Sequence, residues 1–208
     1  MPEDNLHMTV LEVTHSLTEQ HISELLEDLG NKCQNIADWP EQHQARLVKP
    51  MVCYDAAALA LSYLPAAGEL PSHGRTSEHD KYTYHELRRD IYQEITNSGV
   101  DVGSRYVVPS AHLTIARFNS PNVFGGDLLD TAETMDLEKR KHWLKEIGLI
   151  NQWLEAEFWP EGNEKIKPGG EWIVGEEKGL DFRKGTLWYG GGETVYLGKG
   201  FAHPEEND

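Results

Sequence analysis

Residues 6–13 read LHMTVLEV, a run of apolar and β-branched side chains that leads into Thr14, Ser16 and Thr18 and so predicts a strand ending in a turn. A helix follows: Ile22, Leu25, Leu26 and Leu29 recur at i, i+3, i+4 and i+7, Ser16 and Glu19 have capping-box spacing, and Gly30 marks the stop. Residues 47–64 predict two strands with a turn near Asp55, although 56–61 reads equally well as helix. Gly68, Pro71, Ser72, Gly74 and Ser77 predict a mobile loop over 65–80, between two halves. Tyr84, Leu87, Ile91 and Ile95 then mark one face of a second helix, closed by Asn97, Ser98 and Gly99.

The stretch 105–118, RYVVPSAHLTIARF, predicts two short strands broken at Pro109 and Ser110, with loop residues over 119–126. A third helix is expected over 136–158, burying Leu144, Ile147, Ile150 and Leu154, with Trp143 and Trp153 at its edges. From 171 to 201, Trp, Ile, Val, Leu and Tyr alternate with glycines, which predicts two or three closing strands around a turn at Gly190, Gly191 and Gly192. Helices interspersed with paired strands make the fold class α+β.

Composition narrows the function. The 208 residues can bury a core without a staple, and the 38% apolar and 26% charged fractions are those of an ordinary globular chain. Cys33 and Cys53 are too few for a disulfide framework and are read as reduced. The N-terminus is acidic, without a signal-like apolar run, and no stretch has membrane-span length, so a cytoplasmic or nuclear location is expected and membrane insertion is not. A net charge of −16 opposes an extended nucleic-acid groove, because such grooves bind by displacing counterions with Lys and Arg. It leaves room for one phosphate at one site, since distant charges are screened beyond roughly 8–10 Å.

The candidate chemistry lies in a duplicated tetrapeptide. His7-Met8-Thr9-Val10 and His112-Leu113-Thr114-Ile115 both read His-x-Thr-hydrophobic, each inside a strand-like run. Strand alternation puts His7 and Thr9 on one face, and likewise His112 and Thr114. Each copy thus presents an imidazole beside a hydroxyl. Cleaving a phosphodiester requires a base for the attacking oxygen, an acid for the leaving oxygen and donors for the non-bridging oxygens. Histidine takes either proton role near neutral pH, each role being worth about 10²–10⁴-fold. Threonine hydroxyls supply the donors. Neither a metal nor another cofactor is required.

At these residues the chain resembles the two-histidine (2H) phosphoesterase superfamily, in particular the bacterial RNA 2′-5′ ligase/2′,3′-cyclic phosphodiesterase branch and its fungal relatives. AHLTIARF at 111–118 is the strongest match, and WYGGG at 188–192 looks like that family's last hairpin. The resemblance implies one bilobed catalytic domain, with two antiparallel sheets flanking a central cleft, one motif on each side, and helices outside. It implies metal-independent opening of a 2′,3′-cyclic phosphate, on an RNA end or a nucleotide, to a 2′-phosphate, with His112 as base and His7 as acid. The branch's phosphate-binding arginine carries over to Arg117, although strict alternation puts it on the face opposite His112, so a bulge or the strand's end has to turn it inward. Only six residues precede His7 where the family has a further strand. The exposed edge then calls for a loop, a swapped segment or a neighbouring subunit, and hence a homo-oligomer.

Two other readings compete. The same pair acting on another phosphodiester, such as ADP-ribose 1″,2″-cyclic phosphate or an oligo(U) end, differs only in its substrate loops, for example 65–80 and 119–130. A degenerate module that binds a nucleotide or phosphate without turnover is the non-enzymatic alternative. The remaining histidines are scattered in polar segments, YHELRR lacks the second histidine of a zinc helix, and the three glycines lack the strand-loop-helix setting of a phosphate cradle.

Overall fold

The computed structural model describes residues 2–55, 57–70, 75–103, 110–118, 137–161, 166–185 and 191–201. Its helices are α1 (Glu19–Leu29), α2 (Lys32–Ala37), α3 (Tyr84–Thr96) and α4 (Leu137–Phe158). Its strands are β1 (Arg46–Tyr54), β2 (Ala58–Pro65), β3 (Ala111–Arg117), β4 (Glu171–Ile173), β5 (Asp181–Lys184) and β6 (Glu193–Leu197). A curled antiparallel sheet runs β3-β2-β1-β4, and β5 pairs with β6 in a separate two-stranded sheet. The expected α+β class therefore holds. The expected break at Pro109, the 119–126 loop, and Trp188, Tyr189 and Gly190 lie outside the described residues.

Local chemistry explains most boundaries. Thr18, not Ser16, caps α1: its Oγ1 accepts from the His21 N–H, while Ser16 turns the chain with φ 61°. Thr83 and Glu86 form a full capping box at α3, whose Tyr84, Leu87, Ile91 and Ile95 are all buried as their spacing predicts. Asp55 Oδ1 accepts from the N–H groups of Ala57 and Ala58 at 2.7 and 2.8 Å, closing the β1–β2 turn. The 56–61 stretch resolves as strand from Ala58 onward, because β2 has a partner on both edges.

Cross-strand partners share a face of the sheet. Val52 pairs with Leu61 and Leu61 with Leu113; Leu47 pairs with Pro65 and Tyr63 with Ala111. This apolar face is covered at one end by Ile147, Leu154, Trp143 and Phe158 of α4. At the other it meets Leu29, Cys33, Tyr84, Leu87, Ile91 and Ile95 from α1–α3. The opposite face carries the rows Met51-Ser62-His112 and Cys53-Ala60-Thr114.

Two expectations need correction. Leu144 and Ile150 of α4 are exposed, and only Ile147 and Leu154 are buried, because the helix also runs along the free edge of β1 beyond β4. There Asn151 Oδ1 accepts from the Val52 N–H at 2.7 Å and its Nδ2 donates to the Val52 carbonyl at 3.0 Å, which satisfies an edge that β4 leaves open. The 65–80 stretch is not a free loop at its described ends. The buried Arg46 guanidinium donates to both Asp80 carboxylate oxygens, to Glu171 Oε2 and to the Glu69 carbonyl, which ties that stretch to β1 and β4. Cys33 is buried and Cys53 exposed, both as free thiols.

Candidate active site

Among the described residues, 6–13, expected to form a strand, make a single antiparallel bridge, Met8 to Leu113. Tyr84 anchors the same segment by donating its hydroxyl to the Thr9 carbonyl at 3.1 Å. Burial pushes the Tyr84 hydroxyl pKa up, outweighing the nearby Arg88 guanidinium, so it stays a donor. Among the described residues the first motif has no second sheet of its own, which the resemblance implied; it lies against the β3 edge of the four-stranded sheet.

That bridge determines how the motifs meet. Met8 and Leu113 share a face, and Met8 packs against the helical core. Continued one residue either way, the antiparallel register of this bridge sets His7 beside Thr114 and Thr9 beside His112, and His112 and Thr114 lie on the face opposite the helices. In that register His7 and His112 are diagonal neighbours, a relation that separates backbones by about 7–8 Å, a span that one phosphate can bridge.

Arg117 joins them through a bulge. Thr114 pairs with Ala60 and Ala116 with Leu59, so β3 has one extra residue, Ile115, against β2. Beyond it Arg117 pairs with Ala58. On β2 the even positions Ala58, Ala60 and Ser62 share a face, which brings Arg117 to the same face as Thr114 and His112. The small side chains of Ala58 and Ala60 leave the sheet low beside these polar groups.

Both imidazoles are held alike. His7 Nδ1 donates to the Asn5 carbonyl at 2.9 Å, and His112 Nδ1 donates to the Ser110 carbonyl at 3.2 Å. Each acceptor lies two residues before its histidine. A carbonyl oxygen only accepts, so these two bonds favour the neutral tautomer protonated on Nδ1, which leaves Nε2 as the nitrogen to exchange a proton. His112 Nδ1 also lies 3.1 Å from Ser110 Oγ. His7 is exposed; Thr9, His112, Thr114 and Arg117 are half-buried. The sequence pattern located the five polar side chains but missed these anchors, because a backbone acceptor carries no residue signature. The only trace is Ser110, two residues before the second histidine.

Among the described residues no group of three His, Cys, Asp or Glu is placed to hold a metal ion. His43 is stacked on Trp39 at 4.5 Å and is part of the packing rather than a ligand. Among the described residues no helix is long and apolar enough to cross a membrane. Comparison with protein-family models, with curated proteins and with solved structures gives no match.

Proposed function

We propose that the chain is a metal-independent 2′,3′-cyclic phosphodiesterase of the two-histidine phosphoesterase type, acting on an RNA end or a nucleotide. The observation that carries this reading is the Met8–Leu113 bridge, which brings two His-x-Thr motifs from distant parts of the chain side by side on one open face. One imidazole Nε2 takes a proton from water as its oxygen attacks phosphorus. The other, protonated, gives its proton to the departing 3′ oxygen, leaving a 2′-phosphate. Thr9 and Thr114 donate to the non-bridging oxygens, where fixed donors act most strongly as charge develops. Arg117 adds a guanidinium suited to two phosphoryl oxygens at once. After turnover the two rings have exchanged protonation states, and solvent contact resets them.

The finer fold, a bilobed two-histidine architecture, belongs to the same proposal; the antiparallel sheet with helices against one face supports it, and the place of the first motif on the β3 edge departs from it. A second reading, a phosphate-binding module without turnover, is favoured by one observation: a single bridge holds the exposed His7 segment to β3. Incubating the protein in EDTA with 2′,3′-cyclic AMP and with a short RNA ending in a 2′,3′-cyclic phosphate separates the two. Formation of the 2′-phosphate, abolished in His112→Ala, supports the enzyme. Binding by a folded protein that forms no product supports the module.

A further inference from the structure

We infer that Ser110 is a positioning residue for His112: its hydroxyl, together with its own carbonyl, brackets the His112 Nδ1–H and holds the ring so that Nε2 addresses the phosphate. This rests on the phosphodiesterase reading for its catalytic consequence, but not for its structural one. The two motifs are anchored with unequal strength. The His7 bond to the Asn5 carbonyl is 2.9 Å, at the centre of the usual range, whereas the His112 bond to the Ser110 carbonyl is 3.2 Å, at its long end. Ser110 Oγ, 3.1 Å from the same nitrogen, supplies a second oxygen where the first is stretched.

The consequence follows from ring geometry. The imidazole torsion χ2 is broad and roughly two-fold, so a half-turn exchanges Nδ1 with a carbon and moves Nε2 away from its target. A flipped or re-tautomerised ring is useless as acid or base, just as a catalytic histidine loses its role when its orienting partner is lost. Two oxygens at one ring nitrogen resist the flip, in the neutral ring and in the imidazolium, because a carbonyl and a hydroxyl both accept from the Nδ1–H, while the carbonyl, which cannot donate, selects the tautomer. Ser110 is exposed and precedes β3, so its replacement removes the hydroxyl without opening the core.

Two measurements on the full chain test this. ¹H–¹⁵N NMR of the imidazoles, which reads ring order without any substrate, is expected to show a protected His112 Nδ1–H in the parent protein and one that exchanges with water at least several-fold faster in Ser110→Ala, with His7 unchanged. With 2′,3′-cyclic AMP, Ser110→Ala is expected to lower kcat about three- to tenfold, the loss that one net hydrogen bond corresponds to, with KM within about twofold. Ser110→Thr, which keeps the hydroxyl, is expected to restore both. An unchanged His112 Nδ1–H exchange rate in Ser110→Ala overturns the proposal, as does an unchanged kcat in an active protein. If the parent protein itself turns nothing over, the phosphodiesterase reading fails, and the Nδ1–H exchange measurement alone decides the role of Ser110.

Discussion

Met8 stands opposite Leu113 in an antiparallel bridge, and that one pairing brings two motifs 105 positions apart onto a common face. Met8 packs on the helical core and Leu113 lies on the sheet face turned to it, while His112 and Thr114 face away and the register of the bridge sets Thr9 and His7 beside them. Geometry and packing are coupled here: the apolar residue in the middle of each motif secures the polar residues on either side.

Met8→Asp therefore acts on activity through structure. A carboxylate placed against the α1–α3 core costs burial and desolvation, which at a partly buried site is about 1–3 kcal/mol. Thermal melting is expected to fall by several degrees, with the helices retained by circular dichroism, while kcat/KM for the cyclic phosphate falls at least tenfold. Parent-like turnover in this variant would contradict the bridge's role.

Arg117 depends on the bulge at Ile115 for its orientation. Arg117→Ala is expected to raise KM for 2′,3′-cyclic AMP about tenfold, the scale of a lost charge-assisted hydrogen bond, with a smaller change in kcat. Arg117→Lys keeps the charge but not the planar fork, so it recovers only part of the loss. Steady-state kinetics on the three proteins checks this order.

Acid stability has an identified contributor. Burial pushes the Glu69 carboxyl up, but the Lys49 ammonium at 2.5 Å and the backbone N–H groups of Ala67 and Glu69 outweigh it and hold the pKa at about 2, against 4.5 for a free side chain. A depressed carboxylate stabilises the fold fully above the unfolded value and loses that contribution as pH falls through the folded one, here between about pH 4.5 and 2. Urea midpoints measured against pH are expected to show Lys49→Met below the parent protein at pH 6 and the gap closing as pH approaches 2. A gap constant across that window would remove Glu69 from the account.

Asn151 takes the place of a strand partner for Val52. Asn151→Leu leaves a backbone N–H and a carbonyl unsatisfied at a part-buried edge, which costs about 1–3 kcal/mol. Hydrogen exchange is expected to quicken at the Val52 amide, with little change at buried Ile91 on α3.

The parts of this fold that were legible in the sequence are those decided by near neighbours. Tyr84, Leu87, Ile91 and Ile95 specify α3 by spacing alone, and Asn97, Ser98 and Gly99 mark its end. The motif residues were legible because identity and alternation suffice to find them. What depends on distant partners was not. The six residues of α2 are too few to show a period. Leu144 and Ile150 have helical spacing yet stay exposed, since α4 lies partly along a strand edge. The bulge that turns Arg117 is a property of the β2–β3 register, which no local pattern of β3 reveals.

Comparing the single variants His7→Ala and His112→Ala with the double variant tests the central claim, that the two histidines act as one acid/base pair. Groups that work as a unit lose nearly everything with the first removal. On 2′,3′-cyclic AMP in EDTA, each single variant is expected to lose at least about 10²-fold in kcat, and the double variant no more than about tenfold beyond that. Full activity in His7→Ala, or single losses that simply multiply in the double variant, would contradict a shared site.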